Sequence, residues 1–277
     1  MPDFPTVPWL ALIIGNTRLH WAVFTHDDLQ GTWHSRHLQR AEVVGLIDQQ
    51  FTASAWADLT TDPVPSRLTD WRNSRPPKTD AIALYVASVV PSQFALWQIY
   101  PGMQAVSLAQ MPLRNLYPTL GIDRALTLLG ASHRYGWPVL AIDAGTALTL
   151  TAGDAGALLG GAILPGLEMQ LQALSEQTAD LPQVTMSTQL PDRWAKTTEA
   201  AIKGGVAYGL IATMRDFLAD WHRRYPGAPA TLTGGDGARF LQWLPLGDRW
   251  PNLHYEPDLV FWGMACYRQH LIRTTTH

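Results

Sequence analysis

The sequence is short of the groups that most often announce a function. It has one cysteine, Cys266, among 277 residues. A single thiol excludes a disulfide framework and a cysteine-rich zinc site, and Cys266 is expected to pack as a small apolar side chain. Charged residues make up only 16% of the chain against 47% hydrophobic, which excludes a disordered chain and calls for a sizeable core. No run of Lys or Arg is present to track a phosphate backbone, and the formal net charge is −3. Both features argue against nucleic acid as a partner. The longest apolar stretch near the start, residues 7–14, is interrupted by Pro8 and has no basic segment before it. It is too short for a membrane span and lacks the form of a signal peptide, so a cytoplasmic location without membrane attachment is expected. The nine histidines show no paired metal spacing. Walker A, Gly-x-Gly-x-x-Gly and Gly-x-Ser-x-Gly patterns are all absent, which removes the P-loop, Rossmann and nucleophile-elbow readings.

What is present is a repeated turn. Residues 139–151 read Val-Leu-Ala-Ile-Asp-Ala-Gly-Thr-Ala-Leu-Thr-Leu-Thr. An apolar run ends in Asp143, turns through Gly145 and Thr146, and resumes as an alternating strand. Gly145 lets an anion approach the main chain, Thr146 can donate to a phosphate oxygen, and Asp143 can hold a cation against that phosphate. Residues 9–24 repeat the form around Gly15, Asn16 and Thr17. Two such hairpins predict duplicated halves, residues 9–137 and 138–270, contributing to one cleft suited to a polyphosphate. Superposing Gly15 on Gly145 puts Ile13 where the second copy has Asp143.

Along the chain, residues 10–14 and 19–24 read as a hairpin and residues 31–37 as a third strand. Residues 41–51 carry a helical stripe, residues 60–78 a polar loop rich in Pro and Thr, and residues 80–88 a buried strand. A short helix over 92–100 and a strand over 105–108 follow. Residues 125–135, 168–178, 197–219 and 258–268 read as helices, and residues 231–237 as a strand running into a glycine turn. Gly204, Gly205 and Gly209 inside the third of these helices predict close helix packing. The 12 tryptophans include Trp9, Trp21, Trp33, Trp56, Trp71 and Trp97; they keep no period and read as core and interface mass.

Gly121-Ile122-Asp123-Arg124 opens a helix. Asp123 fits two roles: a carboxylate accepting a hydroxyl proton as the oxygen attacks phosphorus, or an acidic residue complementing its own helix terminus. Arg124 likewise reads as a partner for a substrate carboxylate or as a solvated cation. Residues 234–237, Gly-Gly-Asp-Gly, read as a flat wall for an adenine or as a flexible turn. Thr197 and Thr198 have the form of an N-cap pair. Arg18 is placed to reach a phosphate, or else stands exposed on a strand.

In order along the chain, several motifs resemble the type III pantothenate kinase family. They are Gly15-Asn16-Thr17-Arg18, Ser88-Val89-Val90-Pro91, Tyr117, Gly121-Ile122-Asp123-Arg124, Ile142-Asp143-Ala144-Gly145-Thr146-Ala147, residues 160–166, Thr198 with Ala201-Ile202 and Gly205, and Thr233-Gly234-Gly235. The resemblance implies an α/β fold of duplicated actin-like ATPase (ribonuclease H-like) domains, with mixed sheets and flanking helices. It implies transfer of phosphate from ATP to the primary hydroxyl of pantothenate, the first step of coenzyme A synthesis, by a cytoplasmic homodimer. It implies magnesium with ATP and a monovalent cation, potassium or ammonium. By that resemblance Asp123 is the general base, and Tyr117, Gly121, Ile122, Asp123, Arg124 and Thr198 contact pantothenate, Thr198 near the dimer partner. Ile13, Ile14, Gly15, Asn16, Thr17, Arg18, Leu19 and His20, with Thr146, hold ATP, and Asp143 is the cation ligand. The chain departs from the family pattern Asp-x-Gly-Asn-Thr at Ile13. That loss of a metal anchor leaves a second reading, a weakened relative that binds nucleotide or pantothenate as a sensor.

Overall fold

The structure is a computed structural model and describes residues 8–65, 68, 81–244 and 250–275. Three strands open the chain as an antiparallel meander: β1 (Pro8–Ile14), β2 (Leu19–Thr25) and β3 (Asp28–Ser35). After helix α1 (Arg40–Asp48) come β4 (Ala83–Ser88), helix α2 (Pro91–Trp97) and β5 (Met103–Ala105). Parallel pairing needs such crossovers, and β4 runs parallel to β1 as β5 does to β4. The strand order is β3-β2-β1-β4-β5.

The second half repeats the plan. Helix α3 (Ile122–Tyr135) leads into a meander of β6 (Val139–Ala144), β7 (Ala147–Asp154) and β8 (Ala157–Pro165). Helices α4 (Leu167–Glu176) and α5 (Thr198–Arg224) follow. Then come β9 (Ala230–Thr233), α6 (Gly237–Trp243), β10 (Leu253–Tyr255) and α7 (Leu259–Thr275). The order is β8-β7-β6-β9-β10, with β9 parallel to β6 and β10 parallel to β9. Both sheets therefore have the same topology in the same directions, which is the duplicated actin-like arrangement of the sequence reading. The chain forms two compact units. One contains Met1–Met111, Pro118–Leu126 and Met264–His277; the other contains Pro112–Tyr117 and Thr127–Gly263.

In the first unit β1 is buried at every position, because it is central and covered on both faces. Leu10, Leu12 and Ile14 point into a core built on tryptophans. Trp21 stacks on Trp33 at 6.1 Å and meets Trp56 and Trp97 edge-on at 4.8 and 5.1 Å. Trp9, on the opposite face, stacks on Phe24 at 4.3 Å, with the Arg268 guanidinium 5.0 Å from its ring centre. Trp71 lies outside the described residues.

In the second unit α5 is the spine. Ile202, Val206, Leu210, Met214 and Leu218 join Leu140, Ile142, Leu148 and Leu150 in one core. The helix starts where Thr197 Oγ1 accepts from the Ala200 N–H at 3.3 Å, and His222, Arg223 and Arg224 meet its negative end. A Cβ on Gly204 would lie 2.7 Å from the Asp192 carbonyl, whereas Gly205 and Gly209 face open space. Close packing thus accounts for Gly204 and not for the other two.

The expected strand over 105–108 is shorter and earlier. β5 ends at Ala105, and Leu108–Gln110 form a 3-10 turn in which Ser107 Oγ donates to Gln110 Oε1 at 3.1 Å. Helix α6 and strand β10 carry no periodic signal and were not expected. Most of the loop expected over 60–78 lies outside the described residues.

Truncating a fully buried tryptophan leaves a large cavity. Trp21→Ala is expected to cost about 3–5 kcal/mol of unfolding free energy, whereas Trp194→Ala, at a site 88% exposed, should stay within about 0.5 kcal/mol. Urea unfolding of both variants followed by circular dichroism checks the contrast.

Candidate active site

The first turn is defined by where β1 stops pairing. Ile13 lies opposite His20 and Ile14 opposite Leu19, so only residues 15–18 leave the sheet. The Gly15 N–H closes the turn by donating to the Arg18 carbonyl at 3.1 Å, and the Ile14 carbonyl accepts from the Val89 N–H at 3.1 Å. Val89 sits in a tight bend in which the Val90 N–H donates to Ser88 Oγ at 3.0 Å. The Ser-Val-Val-Pro motif therefore buttresses the turn from the neighbouring strand. Asn16, Thr17 and Arg18 are exposed, while Ile13, Ile14 and Leu19 are buried. Thr17 and Arg18 form one wall of an open cavity of about 540 Å³, whose other walls are His34, Ser35, Arg36 and residues 57–62.

Beneath this turn lies a histidine pair. His20 Nδ1 and His34 Nδ1 are 3.0 Å apart, so one ring donates and the other accepts. Burial, then the neighbouring His34 and Arg18, lower the His20 pKa to about 4. The imidazole opposite Ile13 is therefore neutral near pH 7. At this level the two central strands of the turn carry an alkyl group and an uncharged ring.

The second turn also joins two antiparallel strands but is shorter, with only Gly145 and Thr146 leaving the sheet. Asp143 pairs with Thr149 on β7 and Thr233 on β9, and the Gly145 N–H donates to the Ala147 carbonyl at 3.1 Å. Two glycines from later elements press on it. The Gly166 N–H donates to the Thr146 carbonyl at 2.9 Å, and a Cβ on Gly166 would lie 2.2 Å from the Gly145 carbonyl. Gly234 has φ +89°, and a Cβ there would lie 2.3 Å from Asp143 Oδ1. The Asp143 carboxylate therefore leans on a position only glycine can occupy. The Asp236 N–H donates to the Ala144 carbonyl at 2.9 Å. Asp236 also pairs with Arg239, and burial raises its pKa against the pull of that cation.

Asp123 stands in the first turn of α3, its Oδ1 accepting from the Arg124 N–H at 2.8 Å. A Cβ on Gly121 would lie 2.4 Å from the same Oδ1, so Gly121 makes room for the carboxylate. Ile122 and Arg124 are buried, Arg124 to 6% exposure. Tyr117 is 41% exposed. It ends a segment fastened through Arg114, whose N–H donates to the Gly156 carbonyl at 2.9 Å and whose carbonyl accepts from the Leu158 N–H at 3.0 Å. Thr198 is exposed at the start of α5, and its neighbour Thr197 makes the cap. Residues 13–20 and 121–124 belong to the first unit; Tyr117, Asp143, Thr146 and Thr198 belong to the second.

Sequence reading missed His37 and Gln93. His37 Nε2 donates to the Gly15 carbonyl at 2.8 Å, 22 positions away. No local pattern marks such a contact; only the packing of the segment after β3 creates it.

The sequence profile of the type III pantothenate kinase family matches residues 9–220. A type III pantothenate kinase from a Nostoc species is 44% identical over 261 residues, covering 92% of both chains. One from Synechocystis is 40% identical over 263 residues, covering 93% of this chain and 89% of its own. A solved structure of a Campylobacter jejuni protein of the Baf family superposes with a TM-score of 0.60 at 18% identity, covering 95% of this chain and 99% of that one. At that identity the likeness concerns the fold.

The His20 pair makes stability depend on pH. A base with a folded pKa of about 4 and an ordinary unfolded value binds more protons unfolded than folded in between. Stability is therefore complete above pH 6.5 and falls as pH drops toward 4, by about 2–3 kcal/mol allowing for partial exposure. His20→Asn, whose amide reaches the Nδ1 position without titrating, should flatten that slope. Urea midpoints at pH 4.5 and 7.5 test it.

Proposed function

Since the chain belongs to the type III pantothenate kinase family and transfers phosphate from ATP to pantothenate, the first step of coenzyme A synthesis, we propose a division of labour among its three glycine-flanked elements. The turn over residues 15–18 and Thr146 hold the ATP phosphates. Asp123 takes the proton. Tyr117, Gly121, Ile122, Arg124 and Thr198 hold pantothenate. The observation that carries the assignment of the base is the carboxylate at the mouth of α3, standing in space that Gly121 leaves open.

The reaction balances as follows. The pantothenate hydroxyl gives its proton to Asp123 as its oxygen forms a bond to the γ-phosphorus, and the bond from that phosphorus to the β-bridging oxygen breaks, releasing ADP. Asp123 Oδ1 is tied to its own helix, which leaves Oδ2 for the alcohol. A buried Arg124 suits the carboxylate of pantothenate, because a desolvated guanidinium binds a carboxylate strongly and bidentately. Phosphoryl transfer is chiefly positioning and charge stabilisation. The exposed Arg18 and the amides of both turns supply the protein's share of it.

Among the described residues no group of three or more His, Cys, Asp or Glu is placed to hold a metal ion. That fits magnesium, which binds through one or two carboxylates, phosphates and water rather than an all-protein cage. Asp143 is the carboxylate at the second turn, and the first turn has none because of Ile13. Magnesium supplies neutralisation of the phosphate charge. Asp143 is also our candidate ligand for a monovalent cation, potassium or ammonium. The sensor reading rested on Ile13 alone, and both relatives described above are kinases by name.

We place the enzyme in the cytoplasm as a homodimer with the pantothenate site near the interface. No helix among the described residues is long and apolar enough to cross a membrane. Leu159 and Ile163, exposed on the edge strand β8, and Met169 on α4 supply apolar surface that a second copy would cover.

Asp123→Asn is expected to lower kcat by about 10²–10⁴-fold while pantothenate still binds, measured by phosphopantothenate formation and calorimetric titration. Gly121→Ala, which crowds Oδ1, should lose turnover in the same direction. Unchanged turnover in the Asn variant removes Asp123 as the base.

A further inference from the structure

The first turn is controlled by a residue outside it. The Gly15 carbonyl accepts from His37 Nε2 at 2.8 Å. A peptide unit is planar and trans, so its carbonyl and the following N–H point in opposite directions. Holding the Gly15 carbonyl toward His37 aims the Asn16 N–H the other way, out of the turn. Asn16 is exposed, and among the described residues its N–H has no protein acceptor.

His37 is itself held on both sides. Next to it, Leu38 is 2% exposed. The Leu38 N–H donates to Gln93 Oε1, and the Leu38 carbonyl accepts from Gln93 Nε2, both at 3.2 Å. On the other side Arg36 donates twice to Glu42, at 2.9 and 2.5 Å. Glu42 Oε2 also accepts from the Gln39 N–H at 2.8 Å. Residues 36–39 thus form a strap fastened to α2 by Gln93 and to α1 by Glu42. His37 projects from its middle onto the turn.

We propose that His37 is a positioning residue for ATP: it locks the Gly15–Asn16 peptide so that the Asn16 N–H is a preoriented donor to a phosphate oxygen. The inference rests on reading residues 15–18 as a phosphate turn. A carbonyl only accepts, so the imidazole must carry a proton on Nε2. It does so both as the neutral Nε2–H tautomer and as the imidazolium, and the lock holds across the working pH range. An amide already aimed spares the ordering cost that ATP binding would otherwise bear. It takes no part in the proton transfer at Asp123. Its loss therefore falls on the KM for ATP and spares kcat and the KM for pantothenate.

Steady-state kinetics and thermal midpoints of four proteins decide the matter: wild type, His37→Phe, His37→Gln and Thr17→Ala. His37→Phe keeps a ring without a donor, and His37→Gln keeps a side-chain N–H. The expected result is an ATP KM raised about 5–10-fold in the Phe variant, a pantothenate KM within about twofold, and partial recovery in the Gln variant. Thr17→Ala probes the turn itself and should also raise the ATP KM. If Thr17→Ala does so and His37→Phe does not, the turn binds phosphate and His37 has no part in it. If neither moves the ATP KM, the phosphate-turn reading fails and this inference with it. A Phe variant with both KM values raised, a lowered midpoint and no recovery by Gln marks a merely structural histidine and overturns the proposal.

Discussion

A strand hydrogen-bonded along both edges must abandon its sheet at its carboxyl end, and each of the two sheets meets that constraint at its central strand. β1 lies between β2 and β4, and β6 between β7 and β9. Each has an antiparallel partner on one side, reached by a tight turn, and a parallel partner on the other. The amides of that turn have no strand left to pair with, which is why the carboxyl ends of such sheets are where ligands bind. Gly15 and Gly145 open the two turns, each with its N–H bonded back across the turn. Around the second turn, side chains are missing where they would collide, at Gly166 and Gly234, and Gly121 likewise leaves room beside Asp123.

Both turns open on a glycine, but they differ in length and in charge. The second brings a carboxylate, Asp143, to its base. The first has Ile13 there, facing an imidazole that burial and its neighbours keep neutral. Leaving both positions uncharged avoids the cost of burying a lone carboxylate. It also moves the positive charge of the first turn outward to Arg18, on the exposed loop. The first turn therefore offers amides and one guanidinium, and the second a carboxylate.

The strap carrying His37 ties the first turn to two helices. Gln93 grips the main chain of Leu38 in both directions, and the Arg36–Glu42 pair closes the other side. Glu42 is held to a pKa of about 2 by Arg36 first and then by the Gln39 amide. These contacts tie the segment after β3 to α1 and α2.

By itself the sequence determined whatever depends on neighbouring residues. Apolar runs broken by Gly-Asn-Thr and by Gly-Thr placed the two hairpins, a Leu/Ala-rich stretch after Gly121 placed α3, and the ordered motifs identified the family. Tertiary structure alone decided the rest. Gly166 serves Gly145, Gly234 serves Asp143, and His37 serves Gly15, each partner lying about twenty or more positions away. Residues 112–117 group with the second unit and 264–277 with the first. Short pieces such as β10 have too few residues to show a period. Periodicity records which face a residue turns to the core, whereas which distant main chain presses on it is settled only when the core has packed.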